Sequence, residues 1–461
     1  MPINVSFLQE LLGSIAEQSR NYLPSALVGG RRPGIDELAR ALLSGKGEAS
    51  GVAIAREIVE RYRVLKPEER LAFFRFLLDG IQPDQETVAR TATSYLAAPS
   101  EETMLALQRA VESPRQEFFR RLNRAPGATA EIVGMRQELL RLERDDKRFG
   151  IVDADLEHLL ASWFNRGFLV LRKIDWSSPA DILEKIIRYE AVHEIRDWDD
   201  LKGRLEPTDR RCFAFFHPQM ADEPLVFVEV ALTRGIPASI AAVIGEGRQP
   251  IKESEADTAV FYSISNTQDG LRGVSFGNFL IKQVVEELLR EVPGLKTFVT
   301  LSPVPGFAAW LGKQRSELEG KRLPPQLFDI LSAKDWHENP EQRAEAKPLL
   351  ERAAAIYLLE AKVPNGKPAD AVARFHLNNG ALLERINFCG DTSPKGLRQS
   401  HGVMVNYLYD LDAIERNHEA YANAGEVAAS NAVRKMLNGD ETSSFTRGWP
   451  SFLPPRQTKK G

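Results

Sequence analysis

At 461 residues the chain is too long for one typical hydrophobic core, so two domains are expected. Its composition, 43% hydrophobic and 27% charged, excludes a disordered chain; 60 basic against 64 acidic residues, a net charge of −4, leave no field suited to nucleic acid or an anionic membrane. The two cysteines, Cys212 and Cys389, lie far apart, and the seven histidines show neither HExxH nor paired Cys/His spacing, so no metal site is expected. Low cysteine usage suits a reducing compartment, no signal-peptide profile opens the chain, and no apolar stretch is long enough for membrane insertion. Cytoplasm is the expected location.

From Ser6 to about Phe164 the pattern is helical. Leu8, Leu11, Leu12 and Ile15 recur at helical spacing behind Ser6, a candidate N-cap with Gln9 three residues on. Leu71, Phe74 and Leu78 form another stripe, opened by Pro67 at a first helical position, and Ser113-Pro114-Arg115-Gln116 repeats the capping-box signature. The charge-dense run Arg136 to Arg148, threaded by Leu139 and Leu142, reads as a solvated helix face.

From Gly167 the grammar changes. Phe168 to Leu171, Cys212 to Phe216, Leu225 to Leu232, Ala259 to Ile264 and Thr297 to Leu301 are short apolar runs rich in β-branched and aromatic residues, the signature of strands in a covered sheet. The boundary falls near 150–167, giving an all-helical domain over 1–165 and an α/β domain over 166–461. The proline-bearing tail from Trp449 to Gly461 is read as irregular.

The stretch Phe261 to Leu280 combines a strand ending near Ser265, a turn with Gly270 and Gly273, and a helix opening at Ser275 to Gly277. Such a strand, turn and helix N-terminus present backbone N–H groups and a positive dipole end to an anion, and Arg272 adds a guanidinium suited to phosphate. Neither GxGxxG nor GxxxxGK[ST] is present, so dinucleotide and P-loop sites are excluded. On residues alone, an ordinary glycine-bearing βα turn reads equally well.

The segment Arg272-Gly273-Val274-Ser275-Phe276-Gly277-Asn278-Phe279-Leu280 resembles the pyrophosphate loop of the GNAT acyltransferase superfamily, with Ser275 in place of the first motif glycine and Gly277 keeping the second. Together with Tyr262-Ser263-Ile264-Ser265, Thr300 to Phe307, Ala373 to Ala381 and Gly402 to Tyr409, it resembles the malonyl-CoA decarboxylase family, block by block and in the same order. The likeness runs from about Arg210 to Asp410 and is weaker across the helical half. It implies a helical N-terminal domain followed by an acyltransferase-like, GNAT-type α/β catalytic domain with a mixed sheet. It implies decarboxylation of malonyl-CoA to acetyl-CoA and CO2. Carried over by position, Ser302 and His376 match the catalytic serine and histidine; Ser263, Tyr409 and Asn378 match the substrate pocket; Arg272, Gly273, Val274, Ser275, Phe276, Gly277 and Asn278 match the coenzyme A loop. Where animal members place a glutamate, this chain has Ser275.

These residue types suit that chemistry. Loss of CO2 leaves an electron pair that the thioester carbonyl accepts as an enolate, so no metal or organic cofactor is expected. The protein must stabilise the enolate oxygen and protonate carbon, and a histidine titrating near neutrality suits proton delivery. Ser302 before Pro303 could also cap the next helix. No Gly-x-Ser-x-Gly elbow surrounds it, which argues against a Ser–His–Asp hydrolase. His217 and His401 are read as structural. The alternatives are a coenzyme A-dependent acyltransferase and a non-catalytic acyl-CoA-binding regulatory protein. A homo-oligomer, dimer or tetramer with contacts through the helical half, is expected by analogy at the level of the fold.

Overall fold

The computed structural model describes residues 33–44, 47–274, 280–316, 323–364 and 366–438. The expected helix around Leu8 to Ile15, the loop residues Ser275, Phe276, Gly277 and Asn278, and the proline-bearing tail lie outside them. The chain forms two compact units. One comprises Met1–Leu205, Cys212–Val228 and Ile264–Val284; the other comprises Glu206–Arg211, Glu229–Ser263 and Val285–Gly461. Segments 212–228 and 264–284 thus fold with the helical region.

Among the described residues, the first unit holds helices from Ile35–Leu43 through Gly150–Trp163. Pro67 occupies the first turn of Pro67–Arg75, as its fixed φ favours, and Phe73, Phe74, Leu77 and Leu78 are buried. Tyr62, Phe73, Phe74, Phe118 and Phe119 pack as tilted and edge-to-face pairs, centroids 5.2–6.2 Å apart. The capping box expected at Ser113 does not form. Its hydroxyl instead donates to Asp155 Oδ2 at 2.8 Å, where Arg115 Nε (2.7 Å) and Gln116 Nε2, on Oδ1 (2.9 Å), also converge. A buried carboxylate, left without donors, costs more than an uncapped helix end. The run from Arg136 is not a wholly solvated face either: Arg136 is buried, at 2% exposure.

Strand β1 (Val170–Ile174) pairs antiparallel with β2 (Arg210–His217), Val170 facing Phe216 and Ile174 facing Cys212. Helix Ala180–Tyr189 sets Ile182, Leu183 and Ile186 on one face at helical spacing. With Leu201 and Leu205 of Trp198–Leu205 they bury Cys212, Ala214 and Phe216, alternate residues of β2.

The remaining strands are β3 (Met220–Thr233), β4 (Thr258–Asn266), β5 (Thr297–Thr300), β6 (Ser302–Pro303), β7 (Leu382–Asn387) and β8 (Met404–Leu408). Their hydrogen-bonded order is β1-β2-β3-β4-β5-β8-β6, with β7 on β8. β4 and β5 are parallel, while β5, β6 and β7 run antiparallel to β8, so the sheet is mixed. The expected architecture, a helical N-terminal region followed by a mixed sheet, is the one adopted.

Removing one partner of a buried ion pair strands the other, at a cost of about 3–5 kcal/mol. With Arg115 3% exposed, Asp155→Ala should lower unfolding stability by roughly that amount. Chemical denaturation at pH 7 checks it; a loss of less than about 1 kcal/mol would refute the role given to Asp155.

Candidate active site

Alternation along three strands of the second unit builds the site. Val260, Tyr262, Val299, Leu301 and Met404 pack with Ile240 and Val243 in one apolar cluster. Their neighbours Phe261, Ser263, Thr300, Ser302, Tyr407 and Tyr409 therefore point to the other face. Ser263 lies buried on β4, two residues from Phe261, whose ring meets that of Tyr409 edge-on at 6.3 Å.

At Thr300 the sheet opens. Val299 faces Leu408 and Ser302 faces Val405, so β5 and β6 keep one register along the same edge of β8, interrupted between them. Across the gap, side chains substitute for the backbone ladder. The Tyr407 N–H donates to Thr300 Oγ1 (3.1 Å), and Asn406 Nδ2 donates to the Thr300 carbonyl (2.7 Å). Leu301 N–H stays with Phe261 O of β4 at 3.0 Å. Ser302 emerges just beyond the gap. It does not cap a helix, because it pairs with β8 and the next helix begins only at Phe307.

Helix Ala371–Asn378 brings His376 to it. Asp370 caps this helix, accepting from Ala373 N at 2.8 Å, and also receives Tyr357 Oη at 3.4 Å and the Gly306 backbone N–H. One carboxylate, raised in pKa by burial, thereby ties the His376 helix to the segment following Ser302. A side chain at Gly306 would meet Tyr357 Oη at 2.4 Å, so only glycine fits. Helix exit needs Gly380, at φ +78°, where a Cβ would sit 2.1 Å from Ile414 O.

Ser302 Oγ lies 2.8 Å from Thr300 Oγ1, to which it donates, and 3.1 Å from His376 Nε2; His376 Nδ1 lies 2.8 Å from Tyr409 Oη. The Tyr407 ring stacks on the imidazole, centroids 4.6 Å apart and planes 25° from parallel. With the Ser302 hydroxyl donating to Thr300, Nε2 donates to Ser302 and Nδ1 accepts from Tyr409; turning the hydroxyl reverses both bonds. Burial pushes His376 down to about 3, so at neutral pH the ring is uncharged and does not titrate near 7 as the sequence suggests. Burial likewise raises Tyr409 well above the usual phenol range.

Two family profiles match the chain: "Malonyl-CoA decarboxylase N-terminal domain" over 81–164 and "Malonyl-CoA decarboxylase C-terminal domain" over 167–447. The chain is 34% identical over 425 residues to the mitochondrial malonyl-CoA decarboxylase of Anser anser anser, covering 84% of each, and 35% identical over 356 residues to that of Rattus norvegicus, covering 71% of this chain and 72% of that one. It belongs to the malonyl-CoA decarboxylase family. The crystal structures of malonyl-CoA decarboxylase from Rhodopseudomonas palustris and Agrobacterium vitis are each 53% identical, with TM-scores of 0.84, over 87% of this chain and 98% and 99% of those.

Of the residues carried over by resemblance to the family, Ser302, His376 and Tyr409 form one hydrogen-bonded chain, and Ser263 shares their face of the sheet. Asn378 does not join them. It is exposed, two residues beyond His376 and so on the opposite side of the helix; its backbone carbonyl oxygen lies 2.6 Å from His418 Nδ1. Arg272 and Gly273 are exposed and Val274 buried, Gly273 at φ +85°. Thr300, Asp370, Asn406 and Tyr407 are functional candidates that sequence reasoning passed over, although Thr300, Asn406 and Tyr407 lie inside the matching blocks. Among the described residues no group of three or more His, Cys, Asp or Glu is placed to hold a metal, and no helix is long and apolar enough to cross a membrane.

A histidine held neutral in the fold but protonated when unfolded makes stability pH-dependent. Its contribution is complete above the unfolded value near 6.5 and is lost as pH falls from there toward about 3. The urea midpoint should drop between pH 7 and 4.5, and drop less in His376→Gln. An equal drop in both proteins would show that the ring is not held neutral.

Proposed function

We propose that the Ser302–His376–Tyr409 chain carries the decarboxylation of malonyl-CoA to acetyl-CoA and CO2. The observation that supports it most is a fully buried, uncharged imidazole hydrogen-bonded on both sides by hydroxyl groups. The bond between the malonyl carboxylate and its α-carbon breaks, CO2 leaves, and its electron pair enters the thioester carbonyl as an enolate. Ser302 Oγ–H gives its proton to the α-carbon, takes one from Nε2–H, and Nδ1 takes one from Tyr409. Water supplies a proton to Tyr409 Oη as the phenol gives its own to Nδ1, so the negative charge leaves as hydroxide and neither the imidazole nor the buried phenol carries it. The thioester carbonyl is itself the electron sink, so the reaction asks for no metal or organic cofactor. Coenzyme A enters only with the substrate, its pyrophosphate held by Arg272, Gly273 and Val274. A homo-oligomer in the cytoplasm goes with this reading; Cys212 and Cys389, both buried and neither in a disulfide, suit a reducing compartment.

The purified protein given malonyl-CoA alone, with no acyl acceptor, should release CO2 and acetyl-CoA in equal amounts. Release of free coenzyme A, only with an added amine or thiol acceptor and without CO2, would refute the reading. Ser302→Ala and His376→Asn should each lower kcat by roughly 10²-fold or more, with malonyl-CoA binding retained. A variant within threefold of the parent would remove that residue from the relay.

Activity should also survive exhaustive dialysis against EDTA. Loss on chelation, restored by one divalent ion, would mean that a metal holds the enolate.

A further inference from the structure

Arg136 lies on helix Ala128–Asp145, outside the segment that carries the catalytic motifs, yet its guanidinium binds the turn that enters the coenzyme A loop. Nη1 donates to the carbonyl oxygens of Gly270 (3.1 Å) and Arg272 (2.8 Å). Nε and Nη2 grip Asp153 at 2.7 and 3.3 Å, and Glu157 stands 3.8 Å from Nη2. The two carboxylates of helix Gly150–Trp163 orient the fork, leaving one nitrogen aimed at the turn.

The turn accepts this clamp because Gly270 lets its backbone close on the helix and Gly273 takes a φ of +85°. A Cβ on Gly270 would lie 1.9 Å from Val133 O of the same helix, and one on Gly273 would lie 2.9 Å from Glu157 Oε1. Gln137 Nε2 adds a bond to Asp269 Oδ2 at 3.0 Å. Residues 269–273 are thus stapled to helix Ala128–Asp145 through both backbone and side chains. The two carbonyl oxygens that would repel a phosphate are turned into a cation, while the Arg272 side chain stays exposed.

We infer that Arg136 is a positioning residue for the coenzyme A end of the substrate. It never touches the ligand; it orders the backbone that presents Arg272, Gly273 and Val274. The helical region is then part of the substrate site. This rests on the reading that those three residues meet the pyrophosphate.

The test compares kcat/KM for malonyl-CoA with that for the malonyl thioester of pantetheine, which lacks the pyrophosphate. In Arg136→Met the value for malonyl-CoA should fall at least roughly tenfold, as expected when two charge-assisted hydrogen bonds ordering a loop are lost. The value for the truncated thioester should change less than about twofold, and the malonyl-CoA loss should lie in KM. Arg136→Lys, which keeps the charge but cannot span both carbonyls and Asp153, should fall between parent and Met variant, and carries the test if the Met variant does not fold. Equal losses on both substrates, or none, would overturn the proposal. Arg272→Ala is the control. A selective loss there without one at Arg136 overturns the positioning role alone, whereas no selective loss at Arg272 overturns the loop reading beneath it.

Discussion

The interrupted pairing of β8 with β5 and β6 is the constraint on which the candidate site depends. An unbroken antiparallel ladder would bond Thr300 and Leu301 to β8 through their backbones and leave no opening beside Ser302. Here Leu301 keeps its bond to β4, and the demand of Thr300 and Tyr407 for partners passes to side chains: Thr300 Oγ1 for one, the Asn406 amide for the other. Buried backbone groups must be satisfied somewhere, so this substitution lets the sheet open without stranding an N–H or C=O. The Asn406 amide is itself fixed by Asn387 Nδ2 and Arg385 Nε, which donate to its oxygen at 2.8 and 3.1 Å. The opening is held from both sides.

Electrostatics follows from that geometry. A ring this deeply buried pays for any charge in lost hydration, so it stays neutral, and the proposed relay uses the hydroxyl groups on either side to pass a proton without an imidazolium forming. Such a relay suits a reaction whose substrate arrives as a carboxylate and leaves as neutral CO2. The Tyr407 ring over the imidazole and the Asp370 carboxylate beneath the helix fix its orientation; neither needs to touch substrate.

Much of this was legible in the sequence. Four of the five strand segments up to Leu301 form where the apolar, β-branched and aromatic runs place them; the first is shifted to Val170–Ile174, behind a 3-10 turn that holds Phe168. Ser302 and His376 meet although 74 residues apart. Periodicity could not give β6, a two-residue strand defined only by its partner, nor β8, whose run Met404 to Tyr409 mixes apolar and polar side chains on both faces. The titration of His376 was misjudged because burial is a property of the assembled site, invisible in Phe375-His376-Leu377. Asn378 was misplaced for a helical reason: two positions turn a side chain through about 200°, so a neighbour in sequence becomes a residue of the far surface.

Arg136 shows the limit from the other direction. In a run of alternating charge, each residue alone reads as solvated, and most here are. What singles out Arg136 is Asp153 seventeen positions away and two carbonyl oxygens more than 130 positions away, a constellation no local window contains. The glycines of the turn carry the complementary signal. Gly270 and Gly273 look like generic anion-loop residues in sequence, yet the tightest contact a Cβ would make at each is with a helix of the N-terminal region, Val133 O for one and Glu157 for the other. Close packing against that region therefore constrains Gly270, and a φ of +85° constrains Gly273, whatever ligand the loop receives. A substitution would disturb the loop through helix contact at Gly270 and through its positive φ at Gly273 before any effect on a phosphate, so loss of binding in a glycine variant cannot by itself locate the pyrophosphate. Discrimination between full and truncated substrates in side-chain variants can.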